Sequence, residues 1–175
     1  YLERTNLTPE VDMHRSLIRR AVVIVVTMAV ILGSGIGHAS ATPLNGANRF
    51  SNAPLLPAGD GRYTGNNIFA TKQAGEPDHA GDDGGASVWY RLRVNHNRIV
   101  RISTRGSDFD TLLAVYRGPD VRHLVVVRQN DDVDLANNDL TSLVQFPAQA
   151  GVTYRIAVDG FGGDRGHIVL RVIRP

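Results

Sequence analysis

A chain of 175 residues has room for about one domain. It holds no cysteine, which excludes disulfides and zinc–thiolate sites, and its formal net charge is only +2. From Thr42 onward 15 Lys and Arg stand against 14 Asp and Glu, a balance that lacks the electrostatic footprint of a nucleic-acid binder.

The first segment reads as an export signal. Arg15, Arg19 and Arg20 form a positive n-region, Ala21–Leu32 an apolar h-region, and Gly33–Ala41 a small-residue stretch ending in the A-x-A pattern Ala39-Ser40-Ala41. The expectation is a signal helix over residues 1–41, cleaved after Ala41, with Met13 as the true start. The apolar run is about a dozen residues, short of the ~20 needed to span a membrane. The other reading is an uncleaved N-terminal anchor, the chain then touching the membrane only through this segment. Localisation is therefore expected to be secreted and extracellular, or N-terminally anchored.

Thr42–Gly65 is rich in Pro, Asn, Gly and Ala without a sustained period and reads as a linker or loosely docked arm. The domain proper is expected over 66–175. Asn66–Lys72 is the first expected strand, with Ile68 and Phe69 as its apolar members. Gly75–Ala86, GEPDHAGDDGGA, holds four glycines and a proline and cannot be helix.

From Ser87 the pattern alternates with period two. Ser87–Val94 puts Val88, Tyr90, Leu92 and Val94 on one face. After the turn signal Asn95-His96-Asn97, Arg98–Thr104 is expected to return beside it as a hairpin. Phe109–Arg117 reads as a central strand, apolar on both faces beyond Asp110. Strands follow at His123–Gln129, Thr141–Pro147, Val152–Asp159 and His167–Ile173. About eight strands at even spacing predict an all-β fold, an antiparallel β-sandwich of jelly-roll-like order. The expected core is Val88, Tyr90, Leu92, Val100, Ile102, Leu113, Val115, Val125, Val127, Val144, Phe146, Ile156, Val158, Ile168 and Leu170.

The succession GEPDHAG, SVWYRL, GSDFDTLLAVYRG, QNDD, GVTYRIAVDGFGG and GHIVLRV resembles the bacterial pre-peptidase C-terminal domain family over Asn66–Arg174. That resemblance implies a secreted, jelly-roll-like sandwich without catalytic activity of its own. It also implies partners such as an exported peptidase, a cell-wall glycan or another extracellular polymer, and in some relatives calcium.

The residues themselves raise the ion independently. Asp108, Asp110, Asn130, Asp131, Asp132 and Asp159 all fall at expected strand ends or adjacent loops, and Glu76 could approach from the glycine-rich loop. Ca²⁺ takes six to eight oxygens, mostly carboxylate and carbonyl. In a regular strand Asp108 and Asp110 stand about 7 Å apart, so shared chelation would need a bulge at the strand start. The competing reading is turn chemistry, since Asp and Asn bond their own backbone in turns.

Other chemistry is sparse. No H-E-x-x-H or G-x-S-x-G occurs. His96, His123 and His167 read as solvent-exposed. His79 reads as a brace for its loop, or, with Glu76 and a metal, as the centre of a small hydrolase. Trp89, the only tryptophan, is either an exposed platform for a glycan or peptide or a side chain packed under a loop. Gly160–Gly166 lacks the following helix that a phosphate cradle needs.

Overall fold

In the computed structural model, which describes residues 40–175, nine strands form two sheets. These are β1 (Thr42–Pro43), β2 (Gly61–Asn66), β3 (Val88–Arg93), β4 (Arg98–Ser103), β5 (Thr111–Arg117), β6 (Val125–Asn130), β7 (Leu143–Ala148), β8 (Thr153–Gly160) and β9 (His167–Ile173). One sheet has the order β1-β2-β9-β4-β7 and the other β3-β8-β5-β6. Four antiparallel pairings nest inside one another: β2 with β9, β3 with β8, β4 with β7, and β5 with β6. This is the eight-strand jelly roll expected of the sequence, with the two-residue β1 added in parallel to the edge of β2. The expected signal segment lies, up to Ala39, outside the described residues. Among the described residues no helix is long and apolar enough to cross a membrane.

Alternation explains the core. Val88, Tyr90 and Leu92 of β3, Val100 and Ile102 of β4, and Val144 and Phe146 of β7 point inward and are buried. So do Ile156 and Val158 of β8 and Ile168 and Leu170 of β9. Leu113 and Val115 join them from β5, whose residues Thr111–Tyr116 are all buried because the strand is covered on both faces. Val125 departs from expectation: it is 60% exposed, and Val127 is only partly covered. The reason is topological, since β6 is the last strand of its sheet and pairs on one side only.

Two local expectations change. Ser87–Val94 and Arg98–Thr104 do not form a hairpin: β3 and β4 belong to different sheets, and the turn between them crosses the sandwich. Sequence alternation is the same for either partner, so it does not tell a hairpin from a crossover. The first long strand is Gly61–Asn66 rather than Asn66–Lys72. Two glycines and a single inward side chain, Tyr63, mask its period. Ile68 and Phe69, expected in the strand, instead sit exposed in the turn that follows.

Thr42–Gly65 is likewise not a free linker. Ala47 exchanges both backbone hydrogen bonds with Trp89, at 3.0 and 2.9 Å. The Arg91 N–H donates to Pro54 O at 2.7 Å, and the Leu56 N–H donates to Arg91 O at 2.8 Å. The arm thereby pairs the outer edge of β3, which would otherwise stand open to other chains. Phe50 and Ala53 pack with Trp89, Ala114, Tyr116 and Ala157 into a second apolar cluster on the outer face of the four-stranded sheet. An irregular arm can do this without any sequence period.

Candidate metal centre

The residues singled out from the sequence separate into three groups. Asp110, Asp131 and Asp132 converge. Asp110 stands immediately before β5, and Asp131 and Asp132 follow β6, the strand that pairs with it. One carboxylate oxygen from each lies within 4.8 Å of the others. Each of the three also has a buried Oδ1 with no hydrogen-bond partner among the described residues. Burial and the charges of Asp132, Asp131, Asp164 and Asp82 push the Asp110 carboxyl up to about 6. Burial, then Asp132 and Asp82, raise Asp131 as well. An open cleft of ≈ 540 Å³, lined in part by Asp108, Asp110, Asp139 and Asp164, adjoins the cluster.

No bulge at the strand start is needed to bring these groups together. Asp110 lies in the loop before β5, outside the pleat, and the irregularity in the β5–β6 pairing falls between Val115 and Tyr116.

Asn130 and Asp108 do not join the cluster; they hold backbone near it. Asn130 Nδ2 donates to Asp132 O at 3.0 Å, and Asn130 Oδ1 accepts from the Leu143 N–H at 2.8 Å. This side chain fixes the turn that presents the two aspartates. The carboxylate of Asp108 accepts the His167 N–H at 2.6 Å, tying the loop to the start of β9.

Asp159 and Glu76 belong elsewhere. With His79 they form a second, fully buried cluster. Here every acceptor is engaged. Asp159 takes the N–H groups of Gly85, Ala86 and Gly160 at 3.1, 2.7 and 2.8 Å. Glu76 Oε2 accepts from the Gln73 N–H at 2.8 Å, and Glu76 Oε1 lies 2.9 Å from His79 Nε2. The other ring nitrogen, His79 Nδ1, lies 2.6 Å from Tyr116 Oη. Burial alone would raise the Glu76 carboxyl, but its bonds to His79 and the Gln73 backbone outweigh that and hold it below the usual range. A saturated, solvent-free Glu–His pair braces a loop and has no face left for substrate, so the small-hydrolase reading has no accessible centre at these residues.

Trp89 is fully buried, its ring 5.2 Å from Phe50 and 5.5 Å from His79 in edge-to-face contacts. It is an anchor under the arm rather than a binding platform. His96 and His123 are exposed as expected, with His123 beside Asp120 at 2.9 Å.

Asp82 was not among the expected ligands. Its carboxylate accepts the N–H groups of Gly84 at 2.8 Å and Gly162 at 3.0 Å, and its charge reaches both Asp110 and Asp131. Its neighbours Asp78 and Asp83 are taken up by Lys72 at 2.6 and 2.5 Å.

Fold and site together define an all-β sandwich with a pole of unpaired carboxylates. No family model and no curated protein matches the chain. Among solved structures it is similar to the pre-peptidase C-terminal domain of collagenase from Bacillus anthracis, at 15% identity and a TM-score of 0.43, covering 77% of this chain and 95% of that one. It is also similar to Aeromonas hydrophila PliG, a periplasmic lysozyme inhibitor of g-type lysozyme, at 13% identity and a TM-score of 0.45, covering 78% of this chain and all of that one.

Proposed function

We propose that the chain is an exported, non-catalytic β-sandwich module stabilised by calcium and serving binding or folding support outside the cell. One observation carries this reading: Asp110, Asp131 and Asp132 are drawn together with a buried, unpartnered oxygen on each. Three carboxylates at this separation repel one another, and burial strengthens the repulsion. A divalent cation that prefers hard oxygen donors removes it. These three side chains would supply the anionic ligands, with carbonyls and water completing the shell.

The contrast with the Glu76–His79–Asp159 cluster supports this choice of site. That cluster holds two carboxylates and a histidine and is better buried, but protein groups already satisfy it. Export rests on the leader-like pattern of residues 15–41. Partners of the kind expected, an exported peptidase, a cell-wall glycan or another extracellular polymer, suit that address.

The test is thermal unfolding of the chain with calcium, with magnesium and with chelator. The expected result is a rise in melting temperature with calcium that Asp110→Asn abolishes. Identical melts in all three conditions would overturn the ion and leave a plain exported scaffold.

A further inference from the structure

A second site lies among the cations. A cleft of ≈ 590 Å³ opens between the arm after Leu55, the turn joining β3 to β4, and the end of the chain after β9. Its apolar side is Leu55, Leu56 and Val94; its polar side is Arg93, Arg98 and Arg174. No acidic residue lines it. Arg174 is only 7% exposed, and its Nε and Nη1 have no hydrogen-bond partner among the described residues. Its Nη2 donates to Pro57 O at 3.1 Å, which holds the guanidinium in place. Arg98 is held at both terminal nitrogens: Nη1 donates to Arg174 O at 3.3 Å and Nη2 lies against His96 Nε2, while Nε is buried without a partner among the described residues. Buried guanidinium nitrogens left unpaired are rare, because such donors are normally satisfied.

One acid, Asp60, reaches Arg174 from outside the cleft lining. Asp60 Oδ1 accepts the Arg174 N–H at 2.6 Å. Arg174 loses affinity for its proton through burial and the neighbouring Arg98, an effect only partly offset by Tyr63 and Asp60. A cation under that strain gains from an incoming anion.

We propose that this cleft binds a small organic carboxylate carrying an apolar group, such as the C-terminal residue of a peptide. Arginine forks match a carboxylate with two parallel N–H···O bonds. Leu55, half exposed at the rim, and the buried Leu56 and Val94 offer the surface for an aliphatic side chain. The volume falls in the range of small-molecule sites. The site shares no residue with the carboxylate pole and does not depend on calcium.

The test is calorimetric titration of the full chain with N-acetyl-leucine, with its uncharged analogue N-acetyl-leucinamide, with acetate and with inorganic phosphate. N-acetyl-leucine is expected to bind saturably and at least tenfold more tightly than each of the others. R98Q and R93Q are each expected to weaken it at least tenfold while a cooperative thermal melt is retained; they are used because R174Q removes a buried side chain and could fail to fold. A peptide ending in leucine should compete, and the same peptide amidated should not. Equal binding of acid and amide, equal binding of phosphate, no saturable binding at all, or R98Q and R93Q binding as tightly as the parent would each overturn the proposal.

Discussion

His79 Nδ1 lies 2.6 Å from Tyr116 Oη, although 37 residues separate them. That single contact joins the glycine-rich loop to the outer face of the most buried strand. The imidazole thus spans from a tyrosine on one side to the Glu76 carboxylate on the other, with its ring against Trp89. Removing the tyrosine hydroxyl leaves a buried ring nitrogen without a partner, at a cost of about 1–3 kcal/mol. Tyr116→Phe should therefore lower stability by that amount in chemical denaturation. Hydrogen exchange over residues 75–86 should quicken as the loop loosens. An unchanged loop would show that the contact contributes nothing.

Calcium at about a hundred times its dissociation constant should add about 2.7 kcal/mol to the folded state. Asp110→Asn should erase that increment. In chelator the same substitution should leave the protein as stable as the parent or more so, because it removes one of three repelling charges. This opposite response in the two conditions separates an ion site from a turn. A turn aspartate would give one ΔΔG regardless of calcium.

The pH dependence of the calcium-free protein has a definite sign. The Asp110 carboxyl rises to about 6 in the folded state from an ordinary value of 3.8. Protonation therefore favours folding. The contribution is fully present below about pH 4 and is lost as pH rises through about 6. Other carboxylates pull the opposite way, among them Glu76, which sits below its usual range. The clean measurement is the difference between parent and Asp110→Asn in denaturant midpoints from pH 4 to 7. That difference should shift in favour of the asparagine variant as pH rises, and saturating calcium should reverse the trend.

Trp89, fully buried beneath Phe50, should report on the arm. Its fluorescence should be blue-shifted in the native state and protected from iodide. Phe50→Ala should expose it and cost about 3–5 kcal/mol, the range for truncating a buried aromatic. A red-shifted, freely quenched native tryptophan would restore the idea of an exposed platform.

Gly84 has a φ of +58°, and a Cβ built there would fall 2.1 Å from Asp159 Oδ2. Gly84→Ala should push that carboxylate off the Gly85 and Ala86 amides. With strain added to buried groups left unpaired, a loss of at least about 1–3 kcal/mol is expected in thermal or denaturant unfolding.

Most strands were readable because their inward residues are aliphatic and alternate, as Val100-Arg101-Ile102 and Val144-Gln145-Phe146 do. The position of β5 is readable too, because Leu112 to Val115 carries no polar side chain on either face. Partnership was not. The turn Asn95–Asn97 looks the same whether the chain returns beside itself or crosses to the other sheet, and only the global nesting decides. Phe50 and Leu56 are legible as apolar side chains that could pack on the domain, but nothing in the sequence places them or Ala53, because an arm laid across a sheet needs no period. At the site, Asp110, Asp131 and Asp132 are three of the seven candidate ligands the sequence offers. Nothing local distinguished them from Asp108, Asp159 or Asn130, whose side chains instead hold backbone amides brought close by remote strands.

The pairing of β2 with β9 joins Gly61 to Val172, so the first long strand waits for nearly the last one. A polypeptide built this way cannot complete its five-stranded sheet until its C-terminal strand is available, and contacts so distant in sequence form slowly. Such a chain would remain threadable while it passes through a narrow conduit and would close on itself only after full emergence. Deleting His167–Ile173 would remove the neighbour of both β2 and β4 and keep the chain from closing at all.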